Sequence, residues 1–175
     1  MTLNVLDAFV TGSYVLVIPL LLVERSIDLT TIGVVFSALP LAFFVSRMLF
    51  ASVADSIGLG KIFHVNALGN LASVVLYAVS SSPASYALAK GAQGVKDASL
   101  WAVNRNAAYW IAGSKNPYIV NTIEFARALT LALGAVVSGF LLASVGFQWT
   151  FIVLAILSAL ILIPARTLNF GQEKK

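Results

Sequence analysis

The chain has 175 residues, of which 59% are hydrophobic and only 10% charged. A soluble domain carries about 25% charged residues, so this composition excludes an ordinary soluble enzyme, a disordered chain and most nucleic-acid binders. The net charge of +4 is therefore tested against membrane topology before any phosphate-binding role is considered.

A bilayer-crossing helix needs about 20 mostly apolar residues. Runs of that kind are predicted, in chain order, over 3–23, 30–54, 61–80, 84–108, 118–143 and 147–165. The first run, LNVLDAFVTGSYVLVIPLLLV, is too long and too poor in N-terminal positive charge for a cleaved signal peptide. The connections hold turn formers: Glu24 to Leu29, Asp55 to Gly60, Ser80 to Pro83, Gly113 to Pro117, and Val145 to Gly146. No run alternates in polarity every second residue, as the strands of a barrel would. The expectation is an all-α membrane protein, with a six-helix transmembrane domain over 1–166 and a cytoplasmic tail at 167–175.

The basic residues divide unevenly between the two ends of these runs. One side, with both termini, takes Lys61, Arg105, Lys115, Arg166, Lys174 and Lys175. The other takes Arg25 beside Glu24 and Asp28. The positive-inside rule then predicts a multi-pass protein of the cell membrane with both termini cytoplasmic. The positive excess is topological and implies no nucleic-acid partner.

Several chemistries are absent. Without cysteine there are no disulfides, thiolate nucleophiles or Cys-ligated metals. One His and seven scattered carboxylates do not make a transition-metal site. A single interfacial His gives no Ser-His-Asp set, and no Gly-rich phosphate loop is present. The chain is read as not an enzyme, with no cofactor and no metal.

The charges inside the apolar runs are the informative residues, since each costs several kcal/mol in lipid unless paired or hydrated. At about 100° per residue, Lys90, Gln93, Gly94, Asp97, Trp101 and Asn104 share about one third of the fourth helix's circumference. That stripe must face a cavity or another helix. Lys90 and Asp97 lie about two turns apart on it and read as a compensating pair, either lining a path or statically packed. Asn4, Asp7, Thr11 and Tyr14 form a second stripe on the first helix. Lys96 lies on another face, with Glu124 or a partner chain as its candidate neighbour. Glu124 and Arg127 are spaced i,i+3 for a local ion pair. Gly134, Ala135, Ser138 and Gly139 make a small-residue face that another helix can approach closely.

Short motifs add to this reading. The connection ASVADSIGLGKIF places Asp55, Gly58 and Lys61 in the pattern G-x-x-x-D-x-x-G-x-[RK], with Ala51 for the first Gly and a slip at the basic end. Lys90-Gly-Ala-Gln93-Gly94 is similar to R-x-x-Q-G, with Lys for Arg. The run from Gly134 to Leu141 is similar to G-P-x-x-G-G-x-L, with Ala135 for Pro and Ser138 for Gly. Gly146-Phe-Gln-Trp149-Thr-Phe151 is similar to G-W-R-W-x-F. Jointly, and over essentially the whole chain, these resemble the major facilitator superfamily.

The resemblance implies one six-helix half of that fold, built from two inverted three-helix repeats. It implies a secondary transporter that moves a small solute by alternating access and needs a second half, from a homodimer or a partner chain. Protons are a candidate co-substrate, although Asp97 and Glu124, the deeply placed carboxylates, both have basic neighbours in the sequence. Lys90, Gln93, Asp97, Trp101, Asn104, Asp7, Thr11 and Tyr14 would line the pathway. Arg47, Asp55, Gly58, Lys61, Glu124 and Arg127 would form a cytoplasmic gate. Gly134, Ser138 and Gly139 would pack at a chain–chain interface. The alternatives are a non-transporting membrane subunit or regulator, and an isolated half of a full-length carrier.

Overall fold

The structure, a computed structural model, describes residues 2–112 and 117–167. The connection holding Lys115 and the tail from residue 168 lie outside these, and so do the side chains of Asp55 and Asn104. The described residues form α1 (Thr2–Glu24), α2 (Leu29–Ile57), α3 (Leu59–Val79), α4 (Pro83–Ala112) and α5 (Pro117–Thr167). The expected fifth and sixth runs join into α5, interrupted at Gly146, where φ 77° and ψ 178° are non-helical. A residue without Cβ takes that conformation at little cost, so the break needs no loop.

Four stretches among the described residues are long and apolar enough to cross a membrane: Leu3–Glu24, Leu29–Val53, Gly60–Val79 and Asn121–Pro164. The α4 helix has the length, at 30 residues, but its middle carries Lys90, Lys96 and Asp97. Such a helix is stable in a membrane only if neighbouring helices take up its charges.

The packing provides those neighbours. The α1 helix packs mainly on α5, α2 on α4, and α3 against both α4 and α5. Small residues set the closest approaches. A Cβ added at Gly12 would overlap the carbonyl oxygen of Leu131, and one at Gly134 that of Phe9. The Ser13 hydroxyl bridges the same contact, donating to the carbonyls of Phe9 at 3.0 Å and Gly134 at 3.2 Å. On the other pair, a Cβ at Gly94 of α4 would overlap the carbonyl of Leu39 in α2.

These contacts correct the placement of the small-residue face. Gly134 and the buried Ser138 lie within the chain, and a Cβ at Gly139 would come 2.9 Å from Leu16 of α1. The reason is complementarity: α1 presents its own small pair, Gly12 and Ser13, so the two faces close on each other without a partner chain. Elsewhere the exterior is apolar. Leu41, Phe44, Val45, Met48 and Leu49 of α2 are all exposed, as suits a lipid-facing surface.

At the turn between α1 and α2, Asp28 caps α2, its Oδ1 accepting the Thr31 amide N–H at 3.0 Å. Hydrogen bonding to Thr31 holds this carboxyl below its ordinary value. A depressed folded-state pKa contributes stability above the unfolded pKa, about 3.9 for Asp, and that stability is lost as pH falls through the folded value. Asp28→Ala is therefore expected to lower the thermal midpoint slightly at pH 7. The difference from the parent should shrink as the pH is taken below the ordinary carboxylate range. A gap that is constant with pH would contradict the cap.

Candidate functional site

The buried polar groups of α1, α3 and α4 meet in one seam. Its anchor is Lys96, fully buried, with Nζ 3.0 Å from Asp7 Oδ1 and 2.9 Å from Asp97 Oδ1. The same ammonium donates to Thr11 Oγ1 at 2.7 Å. Asp7 Oδ1 also accepts from the side-chain amides of Asn70, at 3.2 Å, and Asn66, at 3.4 Å. The Asn66 amide donates as well to the Lys96 backbone carbonyl at 3.2 Å. Buried charges persist only when paired and hydrogen-bonded in this way.

This arrangement corrects two sequence-based expectations. Asp97 pairs with Lys96 and not with Lys90. Lys96 does not pair with Glu124; fully buried within the chain, it turns inward between α1 and α3. The long lysine stem accounts for both, since four methylenes let Nζ reach groups well away from its own Cβ direction.

The second part of the seam surrounds Lys90. Its ammonium lies 4.1 Å from the centre of the Phe36 ring and 5.7 Å from that of Tyr77. It donates to Gln93 Oε1 at 3.3 Å, and the same oxygen accepts from the Tyr77 hydroxyl at 2.8 Å. Tyr14 links the two parts. Its ring is 5.3 Å from that of Tyr77, and its hydroxyl donates to the Asn70 carbonyl at 3.4 Å. Asp7, Tyr14, Asn66, Asn70, Tyr77, Lys90, Gln93 and Lys96 are all buried. Asp97 is the outlet, with its side chain 21% exposed.

Of the other residues singled out in the sequence, Trp101 is 41% exposed, and the Arg47 guanidinium stacks 3.5 Å over its ring. Arg47 therefore turns toward α4, and among the described residues it makes no ion pair with Glu124. Glu124 and Arg127 do approach, at 3.8 Å, but both are substantially exposed. Gly58 precedes α3 with φ 82°, and Lys61 is exposed. The structure thus brings together Asp7, Thr11, Tyr14, Lys90, Gln93 and Asp97, and among the described side chains the ion pair within the gate set is Glu124 with Arg127.

Asn66, Asn70 and Tyr77 were missed from the sequence. Their signal was present: spacings of four and then seven residues put them on one face of α3. A cavity of 770 Å³ opens near one end of the seam, at the turn after α1. Tyr77, Tyr86, Phe147, Phe151 and Ile152 line it, with Glu24 and Arg25 at the same end.

The family model of the Major Facilitator Superfamily matches residues 1–173. The chain belongs to this superfamily. Its members are membrane transporters, so the charged seam of this facilitator chain lies in a protein whose relatives move solutes. No curated protein matches the chain.

Proposed function

We propose that this chain is a half-sized secondary transporter that moves a small solute by alternating access, completed by a second half. The observation that carries this reading is the outlet of the charged seam. Asp97, partly exposed midway along α4, would face lipid if the chain acted alone, and a partly hydrated carboxylate there is costly. A second copy or a partner chain laid over that face would enclose it. The reciprocal pairing of α1 on α5 and of α2 on α4 supports the internal three-helix repeat that such folds use. In this reading α5 crosses twice, turning at Gly146, and α4 crosses behind the charges it shares with α1 and α3.

Reconstitution in liposomes tests the function. The purified chain should support saturable solute flux that is lost in Asp97→Asn. Flux by a strictly monomeric preparation would contradict the need for a second half. Absence of any flux across a panel of anionic, neutral and cationic solutes would contradict transport.

The orientation has its own test, because the chain contains no native cysteine. Single cysteines at Ser56, Ser114 and Gln172 should be protected from an impermeant thiol reagent in intact cells. A cysteine at Ser82 should label readily. The reverse pattern would place both termini outside.

A further inference from the structure

The seam contains two buried lysines in opposite states. Lys96 is saturated, with two carboxylates and a hydroxyl around one ammonium. Lys90 is buried too, at 3% exposure, yet among the described residues it has no carboxylate within ion-pair distance. It makes one long hydrogen bond to a neutral amide oxygen, and two aromatic faces cover it. An ammonium has three donors, so most of this hydrogen-bonding capacity is unused at a site where an uncompensated charge is costly. A structural lysine would be expected to resemble Lys96.

We propose that Lys90 is the recognition point for an organic anion, a carboxylate carrying an apolar body. This deepens the transport reading by naming the solute class. The surroundings fit both parts of such a molecule. The carboxylate would displace Gln93 from the ammonium, and the Gln93 side chain can present its amide N–H groups to the same oxygens after a rotation. Tyr77, whose hydroxyl already points at Gln93 Oε1, supplies another donor. The apolar body has aromatic surface available on Phe36 and Tyr77. Tyr77 also lines the 770 Å³ cavity, whose wall is otherwise rich in apolar side chains and which has the oppositely charged Glu24 and Arg25 together at one end. Tyr77 therefore stands between an apolar chamber and the unpaired ammonium. Within the seam the carboxylates Asp7 and Asp97 are each paired through Oδ1 with Lys96, whereas Lys90 has no carboxylate at ion-pair distance, so the unmatched charge there is positive.

The test is binding by the purified full chain in lipid nanodiscs, read as the shift in thermal unfolding midpoint. The probes are sodium acetate, sodium benzoate and methyl phosphate, against benzamide and sodium chloride at matched ionic strength. At least one of the two carboxylates should raise the midpoint, with benzoate ahead of acetate, and benzamide should not; a shift with methyl phosphate alone would contradict a carboxylate site. Lys90→Arg should keep the shift. Lys90→Met should weaken the apparent affinity about tenfold or more, the scale of one buried ion pair. If Lys90→Met does not fold, Lys90→Gln takes its place, and the comparison of benzoate with benzamide on the parent chain decides independently. No shift from either carboxylate, or an equal shift with benzamide, would overturn the proposal. So would an undiminished shift in the folded variant. The arms also separate this inference from transport itself. Lys90-dependent binding without flux in liposomes would support the anion site and contradict the transporter. Flux of a neutral or cationic solute that survives Lys90→Met would do the reverse.

Discussion

Lys96→Met is expected to be the most damaging single substitution of a side chain in the seam, lowering stability by about 3–5 kcal/mol. The loss comes from Asp7. Once the ammonium is gone, this fully buried carboxylate keeps only the Asn66 and Asn70 amides as donors. Asp97, with its side chain 21% exposed, is less completely enclosed and suffers less. The expected rescue follows from the same geometry. Asp7→Asn added to Lys96→Met removes the stranded charge, so the double variant should recover part of the loss. The measurement is a double-mutant cycle on unfolding midpoints in nanodiscs. Additive losses would contradict the pair, and so would a cost at Lys90→Met as large as that at Lys96→Met.

Gly134→Leu should come next, with a cost of about 3 kcal/mol, at the upper end of overpacking penalties. The first atom of any side chain at Gly134 meets the Phe9 carbonyl, which is backbone and cannot rotate away. Separating α1 from α5 would also break the Ser13 hydrogen bond to Gly134. Gly33→Leu is the control, since a Cβ there meets nothing within 4 Å. The Gly134 variant should lose thermal stability while the Gly33 variant stays near the parent. A Gly134→Leu chain that stays folded but changes only its oligomer distribution would put this face between chains after all.

These two predictions mark where the sequence could and could not be read. The α4 stripe was legible because helical periodicity fixes which Cβ atoms share a face, and Lys90, Gln93 and Asp97 do belong to the polar seam. The partner of Asp97 was not legible. Periodicity gives the direction of a Cβ, whereas Lys96 Nζ sits four methylenes further on and chooses its partners by what α1 and α3 bring near. The small-residue face from Gly134 was recognisable as a packing surface, but its occupant depended on which helix pairs with α5. Nothing local to α5 encodes that choice; the matching Gly12 and Ser13 lie more than a hundred residues earlier. The Trp101 partner of Arg47 was not legible for a related reason: residues near one end of a bundle need not share a face, and which ring meets the guanidinium depends on how α2 packs on α4.

The central claim is that the polar face of α4 lines an aqueous route while its opposite face meets lipid. Thiol labelling tests this directly, because alkylation requires a thiolate in water. Single cysteines at Asp97 and Trp101 on one face, and at Leu88 and Val95 on the other, can each be exposed to an impermeant maleimide in membranes. All four residues have exposed surface, Leu88 at 69% and Val95 at 36%, so burial within the chain does not distinguish them. Positions 97 and 101 should label rapidly, more slowly in the presence of a solute that the chain binds, and positions 88 and 95 should not label. Equal labelling on both faces, or none at position 97, would contradict the aqueous route.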